Sequence, residues 1–208
     1  MATPPPASTP APPSKGEQTR HAILATAIER FGRDGYRATS VADIARGAGV
    51  SGTLAYAYFP NKEALFLAAV DEDAAAVIRE GLADALGGPA GPSIEDWRQG
   101  LLFSLVGALD AHPLARRLLA GLEPEVTVRV LEIPALADMR KAVAERIGLE
   151  QVAGTARPDI DPREMADGVV AIVLSLLMSV VQIGPGAALP YADAVTGIFE
   201  AALRGPSR

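Results

Sequence analysis

The sequence predicts an all-α fold, on three observations. Apolar residues recur at helical spacing in long runs, helix-start and helix-stop signals bracket those runs, and nowhere do apolar and polar residues alternate as in a half-buried strand. No internal repeat is present. With 208 residues and 49% hydrophobic content, the chain is long enough to bury one or two cores.

The N-terminal segment, residues 1–14, holds six prolines and no charge, and is expected to be a disordered tail rather than a signal peptide. The first helix carries Ile23, Leu24, Ala27, Ile28 and Phe31 on one face and closes at Gly35 and Tyr36. Ser40 then caps a short helix that starts near Val41, with Asp43 three residues on as the acidic half of a capping box. Val41, Ile44 and Ala45 share its inner face. Gly49 turns the chain, because glycine enters the left-handed region without a Cβ penalty. Val50 is expected to be buried at the corner, and Ser51 caps the next helix. Two short helices joined by such a turn are a helix-turn-helix, whose second helix enters the major groove of DNA.

Asn61 caps a long helix from 62 to about 86, stopped by Gly87, Gly88 and Pro89. Ser93, with Asp96 three residues later, opens another through Trp97, Leu101, Leu105 and Leu109. Pro113 begins a short helix with Leu114, Leu118 and Leu119. A break or kink is expected near Pro124 and near Pro134. The helix from about 134 to 147 sets Leu136, Met139, Val143 and Ile147 in one stripe, and residues 148–160 read as loop. Asp161, Pro162 and Glu164 mark the strongest start signal in the chain.

Residues 168–184 contain no charged side chain. The run is close to the short limit of about 17 residues for a membrane span, is interrupted by Ser175, Ser179 and Gln182, and lacks basic flanks. A core or interface helix is the expectation, not a membrane-associated protein. Gly184, Pro185 and Gly186 end it, and Pro190 is expected to start a last helix through Val195, Ile198, Phe199 and Leu203.

The net charge of −6 is divided unevenly. Residues 1–62 hold seven basic and four acidic side chains, a net +3, which leaves −9 for the remainder. A basic head on an acidic body orients an encounter with DNA. The chain has no cysteine, which excludes disulfide frameworks and thiolate metal sites. No P-loop, dinucleotide-binding fingerprint or metal-ligand spacing occurs, so no cofactor and no metal are expected. The two histidines, His21 and His112, do not form a catalytic constellation; Ser104, Asp110 and His112 lie near one another in sequence, but no strand-turn-helix elbow frames the serine. An enzyme is disfavoured.

Over residues 17–77 the order of Thr39, Ser40, Asp43, Ile44, Ala45, Ala48, Gly49, Val50, Ser51, Tyr56, Tyr58, Phe59, Lys62, Glu63 and Leu65 resembles the DNA-binding domain of the TetR family of bacterial transcription regulators. The resemblance implies a DNA-binding domain at residues 15–62 and a larger helical effector-binding and dimerisation domain at 63–208. It implies a homodimer built on the last two long helices, a palindromic double-stranded operator, release by an apolar or amphipathic small molecule, and a cytoplasmic location. A regulator without an effector, or one that activates, is the alternative within that class. Trp97, Leu101, Phe103, Leu105, Met139 and Leu174 are residue types fit to line the effector pocket, although core packing accounts for each equally well.

The family pattern often places a basic residue and then Gly-Thr-Leu-Tyr after the capping serine. Here Gly52, Thr53, Leu54 and Ala55 precede Tyr56, so the helix is either ungapped and substituted or shifted by one residue, which would turn its side chains by about 100°. The ungapped reading is preferred because Val50, Ser51, Tyr56 and Phe59 keep the family spacing. It sends Ala55 and Phe59 to the core and leaves Gly52, Thr53, Leu54, Ala57 and Tyr58 to approach DNA. That face lacks Arg, Asn and Gln, so discrimination is expected from thymine methyls and duplex shape. Tyr58 and Lys62 stand at phosphate-contacting positions of the family; Tyr56 either joins them or packs. Thr39 and Ser40 cap, touch phosphate, or do both. Arg46 reaches a base or phosphate, or forms a surface ion pair. Lys15 and Arg20 sit where an N-terminal arm meets the duplex.

Overall fold

The computed structural model describes residues 14–86, 97–124 and 132–204. Among these residues the secondary structure is helical throughout: α1 (Lys15–Ala38), α2 (Val41–Gly47), α3 (Gly52–Tyr58), α4 (Lys62–Leu86), α5 (Trp97–Ala108), a 3₁₀ turn (Leu109–Ala111), α6 (Pro113–Leu119), α7 (Pro134–Ala153), α8 (Pro162–Ile183) and α9 (Pro185–Leu203). The signals expected from Gly87–Pro89, Ser93 and Asp96 lie outside the described residues, as do 125–131, beyond Pro124.

Two cores organise these helices. The head core joins Ile23, Leu24, Ala27 and Phe31 of α1 to Val41, Ile44 and Ala45 of α2 and to Ala55 and Phe59 at α3. It continues into Leu65, Phe66, Ala69 and Val70 of α4 and takes in Leu114 and Leu118 of α6. Phe31 and Phe66 meet edge to face, with centroids 4.9 Å apart, and Tyr36 lies 4.9 Å from Phe66, so an aromatic trio closes the base of the head. The body core gathers the outer half of α4 with α5, α7 and α8 and one end of α9. α4 thus belongs to both cores, and α6 packs on α1, α4 and α8.

Several boundaries differ from the sequence expectation, each for a local reason. Ser14 belongs to the fold rather than to the tail: its hydroxyl accepts the Glu17 N–H at 3.2 Å while Glu17 accepts the Ser14 N–H at 2.6 Å, a reciprocal cap on α1. Helical backbone is interrupted at Gly35 (φ 84°), and the turn resumes to Ala38. α5 gives way to the 3₁₀ turn at Leu109. α7 runs to Ala153, past the expected end at Ile147, and stops at Gly154 (φ 77°). The apolar stripe Leu136, Met139, Val143, Ile147 continues into Glu150, 1% exposed, whose carboxylate accepts the Trp97 indole N–H at 2.6 Å. A carboxylate at a core position hid the last turns of this helix. α9 starts at Pro185, and Pro190, expected as its first residue, lies inside it. The left-handed corner at Gly184 (φ 86°) ends α8 and lets Pro185 serve as a first-turn proline.

α8 is long and apolar enough to cross a membrane by length and composition alone, with 33% of its most apolar stretch buried within the protomer. Val169, Val170, Val173 and Leu177 point into the body core, while Ala171, Ser175 and Gln182 face outward.

Candidate DNA interface

The helix-turn-helix is assembled almost entirely from local signals. At the start of α2 the Ser40 hydroxyl accepts the Asp43 N–H at 3.1 Å. The capping box expected there is not closed in its usual form: the Asp43 carboxylate takes the Ser40 hydroxyl at 2.6 Å and pairs with Arg46 at 3.2 Å. Hydrogen bonding from Ser40, and then the Arg46 charge, hold the Asp43 carboxyl below its ordinary value. Of the roles open to Arg46, the protomer contains the ion pair. α2 ends as the Gly49 N–H reaches the Arg46 carbonyl (3.2 Å) and the Val50 N–H reaches Ala45 (3.0 Å), a Schellman turn with Gly49 at φ 69°. Val50, expected to be buried at the corner, is only half-buried. The tight turn keeps its side chain at the rim of the head core.

Ser51 caps α3 by accepting the Leu54 N–H at 3.2 Å. Ala55 (0% exposed) and Phe59 (4%) face the core, as the ungapped register requires. Leu54 and Tyr56 stand out at 40% and 53% exposure, with Thr53 and Ala57 also exposed and Gly52 and Tyr58 half-buried. The outward face of α3 therefore carries no charge. Cations lie around it instead. Lys62 projects its ammonium 4.5 Å from the Tyr36 ring and 3.4 Å from the Arg37 carbonyl oxygen. Arg20 lies over Phe59, 5.4 Å from its centroid, and the Tyr58 hydroxyl sits beside Gly16 at the start of α1. These contacts hold two cations and a phenol hydroxyl close to α3.

Thr39 is placed differently from the expectation. It is 5% exposed, and its hydroxyl donates to the Gly35 carbonyl at 2.8 Å, so its side chain fixes the elbow between α1 and α2 and offers nothing outward. Lys15 is exposed at the first turn of α1.

Behind the head, α4 through α8 line an apolar cavity of about 50 Å³. Leu105, Met139 and Leu174, three of the residues fit for an effector pocket, line it. Trp97 and Leu101 do not; both are fully buried in core packing, the indole being tied to Glu150. Phe103 points to solvent at 45% exposure. The lining also includes Val77 and Ile78 from α4 and Leu118 from α6, which the sequence did not single out because burial in a core and exposure to a cavity use the same residue types.

One polar link joins body to head and a second ties α4 to the start of α6. The Glu123 carboxylate accepts the Tyr36 N–H at 3.0 Å and pairs with Arg117 at 2.8 Å. Asp73 of α4, 3% exposed, contacts the His112 Nδ1 at 2.7 Å and accepts the Ala115 N–H at 2.8 Å at the start of α6. Neither link is visible in sequence, since each joins residues far apart along the chain.

Residues 23–69 match the family model described as bacterial regulatory proteins, tetR family. A stretch of 56 residues is 43% identical to the HTH-type transcriptional regulator EthR of Mycolicibacterium smegmatis, covering 27% of this chain and 26% of that protein. The chain thus matches about a quarter of the length of that relative. Over nearly the whole chain the fold is similar to a TetR-family transcriptional regulator from Mesorhizobium loti, with TM-score 0.71, 22% identity and coverage of 93% and 100%. It is also similar to a TetR-family regulator from Cytophaga hutchinsonii, with TM-score 0.69, 21% identity and coverage of 95% and 100%. These relatives are described as regulators of transcription, not as enzymes.

Proposed function

Residues 23–69 match the tetR-family model, and on that premise we propose that the chain is a homodimeric, operator-binding repressor of transcription, released from DNA by an apolar or amphipathic small molecule. The observation that carries this reading is the placement of α4. Its first turns are built into the helix-turn-helix core, while Ala74, Val77 and Ile78 further along line the cavity. A molecule that fits the cavity better in one tilt of α4 than in another biases the head through the same helix, and differential affinity for two conformations is all that release requires.

The proposed DNA contacts are Ser40, Ser51, Gly52, Thr53, Leu54, Tyr56, Ala57, Tyr58 and Lys62, with Arg46 joining once its pair with Asp43 opens. Residues 15–62 form the DNA-binding part and 63–208 the effector-binding and dimerisation part. A dimer places two α3 helices in successive major grooves about 34–36 Å apart. Support for its interface comes from the outward faces of α8 and α9. Beyond the charge-free run of α8, the exposed positions Ala187, Tyr191, Ala194, Ile198 and Ala201 repeat along α9 at alternating spacings of four and three residues. Tyr191 and Ile198 are 68% and 67% exposed in the protomer, an apolar stripe that a second copy would cover. Such a protein works in the cytoplasm, where its operator is.

Selection of bound fragments from genomic DNA tests the reading. A two-fold symmetric site, bound by a dimer with affinity that falls steeply with salt, is expected, followed by release with a subset of apolar metabolites. A monomer, or binding indifferent to sequence and ionic strength, overturns it.

A further inference from the structure

Within that DNA-binding reading, we propose that α3 recognises the C5 methyl group of a pyrimidine whichever base carries it, so that 5-methylcytosine substitutes for thymine at the contacted positions. The recognition helix exposes Leu54 at 40% and, beside it, the methyl-bearing side chains of Thr53 and Ala57. Leu54 and Ala57 are three residues apart and therefore neighbours on one face. Ser51 accepts the Leu54 N–H as the cap of α3 and keeps its O–H free, a group that donates or accepts alike. Between Gly52 and Tyr58 there is no guanidinium, carboxamide, carboxylate or ammonium to impose a donor and acceptor pattern.

Thymine and cytosine differ in the major groove in two ways. Thymine presents an O4 acceptor and a C5 methyl, whereas cytosine presents an N4 donor and a bare C5. A helix with a carboxylate or a carboxamide distinguishes the first difference. The short hydroxyls there, those of Ser51 and Thr53, are indifferent to it, because a hydroxyl donates to O4 as readily as it accepts from N4–H. The second difference is what an apolar patch detects, since a methyl packed on Leu54 and Ala57 leaves water and a C5–H leaves a void. Burial of one methyl is worth about fourfold in affinity, hence about fifteenfold for the two half-sites of a dimer. The cation ring outside α3, with Lys62 and Arg20 held at Tyr36 and Phe59, supplies attraction to phosphate independent of the base.

The test uses the full-length dimer and an operator obtained by selection, with the contacted A·T pairs replaced in turn by A·deoxyuridine, G·cytosine and G·5-methylcytosine pairs. Deoxyuridine deletes only the methyl; 5-methylcytosine keeps the methyl and reverses the hydrogen-bonding group. Thymine and 5-methylcytosine are expected to bind alike, and deoxyuridine and cytosine each about fifteenfold more weakly when both half-sites are changed. Leu54→Ala and Thr53→Ser, both exposed and compatible with a folded helix, should compress the four affinities toward one value. Equal binding of thymine and deoxyuridine, or 5-methylcytosine behaving as cytosine, overturns the proposal while leaving operator binding intact. Absence of any sequence-specific, salt-dependent binding overturns the underlying DNA reading instead.

Discussion

The backbone N–H of Tyr36 donates to the Glu123 carboxylate across 3.0 Å, joining residues 87 positions apart. The same carboxylate oxygen pairs with Arg117 of α6, and α6 contributes Leu118 to the cavity wall and to the head core alike. Movement of α6 in response to a bound molecule therefore reaches the end of α1 directly. Glu123→Ala leaves a half-buried N–H and a guanidinium without their acceptor, which should cost about 1–3 kcal/mol in urea denaturation. Glu123→Gln keeps an acceptor and should lose less.

Gly49 holds φ 69° with nothing within 4 Å of the site where a Cβ would sit, so strain alone opposes a side chain there. Gly49→Ala should lower stability by about 1–2 kcal/mol and weaken operator binding by misdirecting α3. Thermal unfolding combined with binding titration measures both.

Lys62, proposed to meet phosphate, is held beside α3 by its contacts with Tyr36 and the Arg37 carbonyl. In Lys62→Gln the slope of log affinity against log salt should fall by about 0.9 per lost contact, hence by nearly two in a dimer, with base preference unchanged. Altered preference at equal slope would assign this lysine another role.

Tyr191→Asp combined with Ile198→Asp puts charge in the exposed stripe of α9. Sedimentation should show a folded monomer, and specific DNA binding should fall to the level of a single half-site.

Leu174→Trp fills the cavity from α8. Operator affinity should persist while release by apolar compounds is lost. If release survives, the effector binds elsewhere.

The Asp43 carboxyl lies below its ordinary value because it accepts the Ser40 hydroxyl and faces Arg46. Its folded-state pKa is depressed, so the stabilisation it gives α2 is present above the unfolded value of 3.8 and disappears as pH falls through the folded one. An NMR titration of Ser40→Ala should move the Asp43 midpoint upward.

The helix-turn-helix was legible because its determinants are neighbours in sequence. Ser40, Gly49 and Ser51 act on backbone groups at most a few residues away, and Ala55 and Phe59 follow from helical spacing. The same holds for the Asn61 cap on α4 and for Asp161 before α8. Features set by distant partners were not legible. Glu150 breaks an apolar stripe in sequence yet belongs in the core because Trp97 meets it, and Thr39 reads as an exposed cap until Gly35 is seen to take its hydroxyl. Half of the expected cavity residues were displaced for a related reason, since nothing in a leucine or tryptophan distinguishes the wall of a void from the interior of a packed layer.

The sharing of the head core with Phe66, Val70, Leu114 and Leu118 bears on protein engineering. A fragment cut after Lys62 would carry every residue proposed to touch DNA and still lack the floor on which they rest. Transplanting this reading head onto another body requires a graft that brings a compatible α6 with it, and chimaeras joined at the apparent seam should precipitate or melt early rather than acquire a new operator.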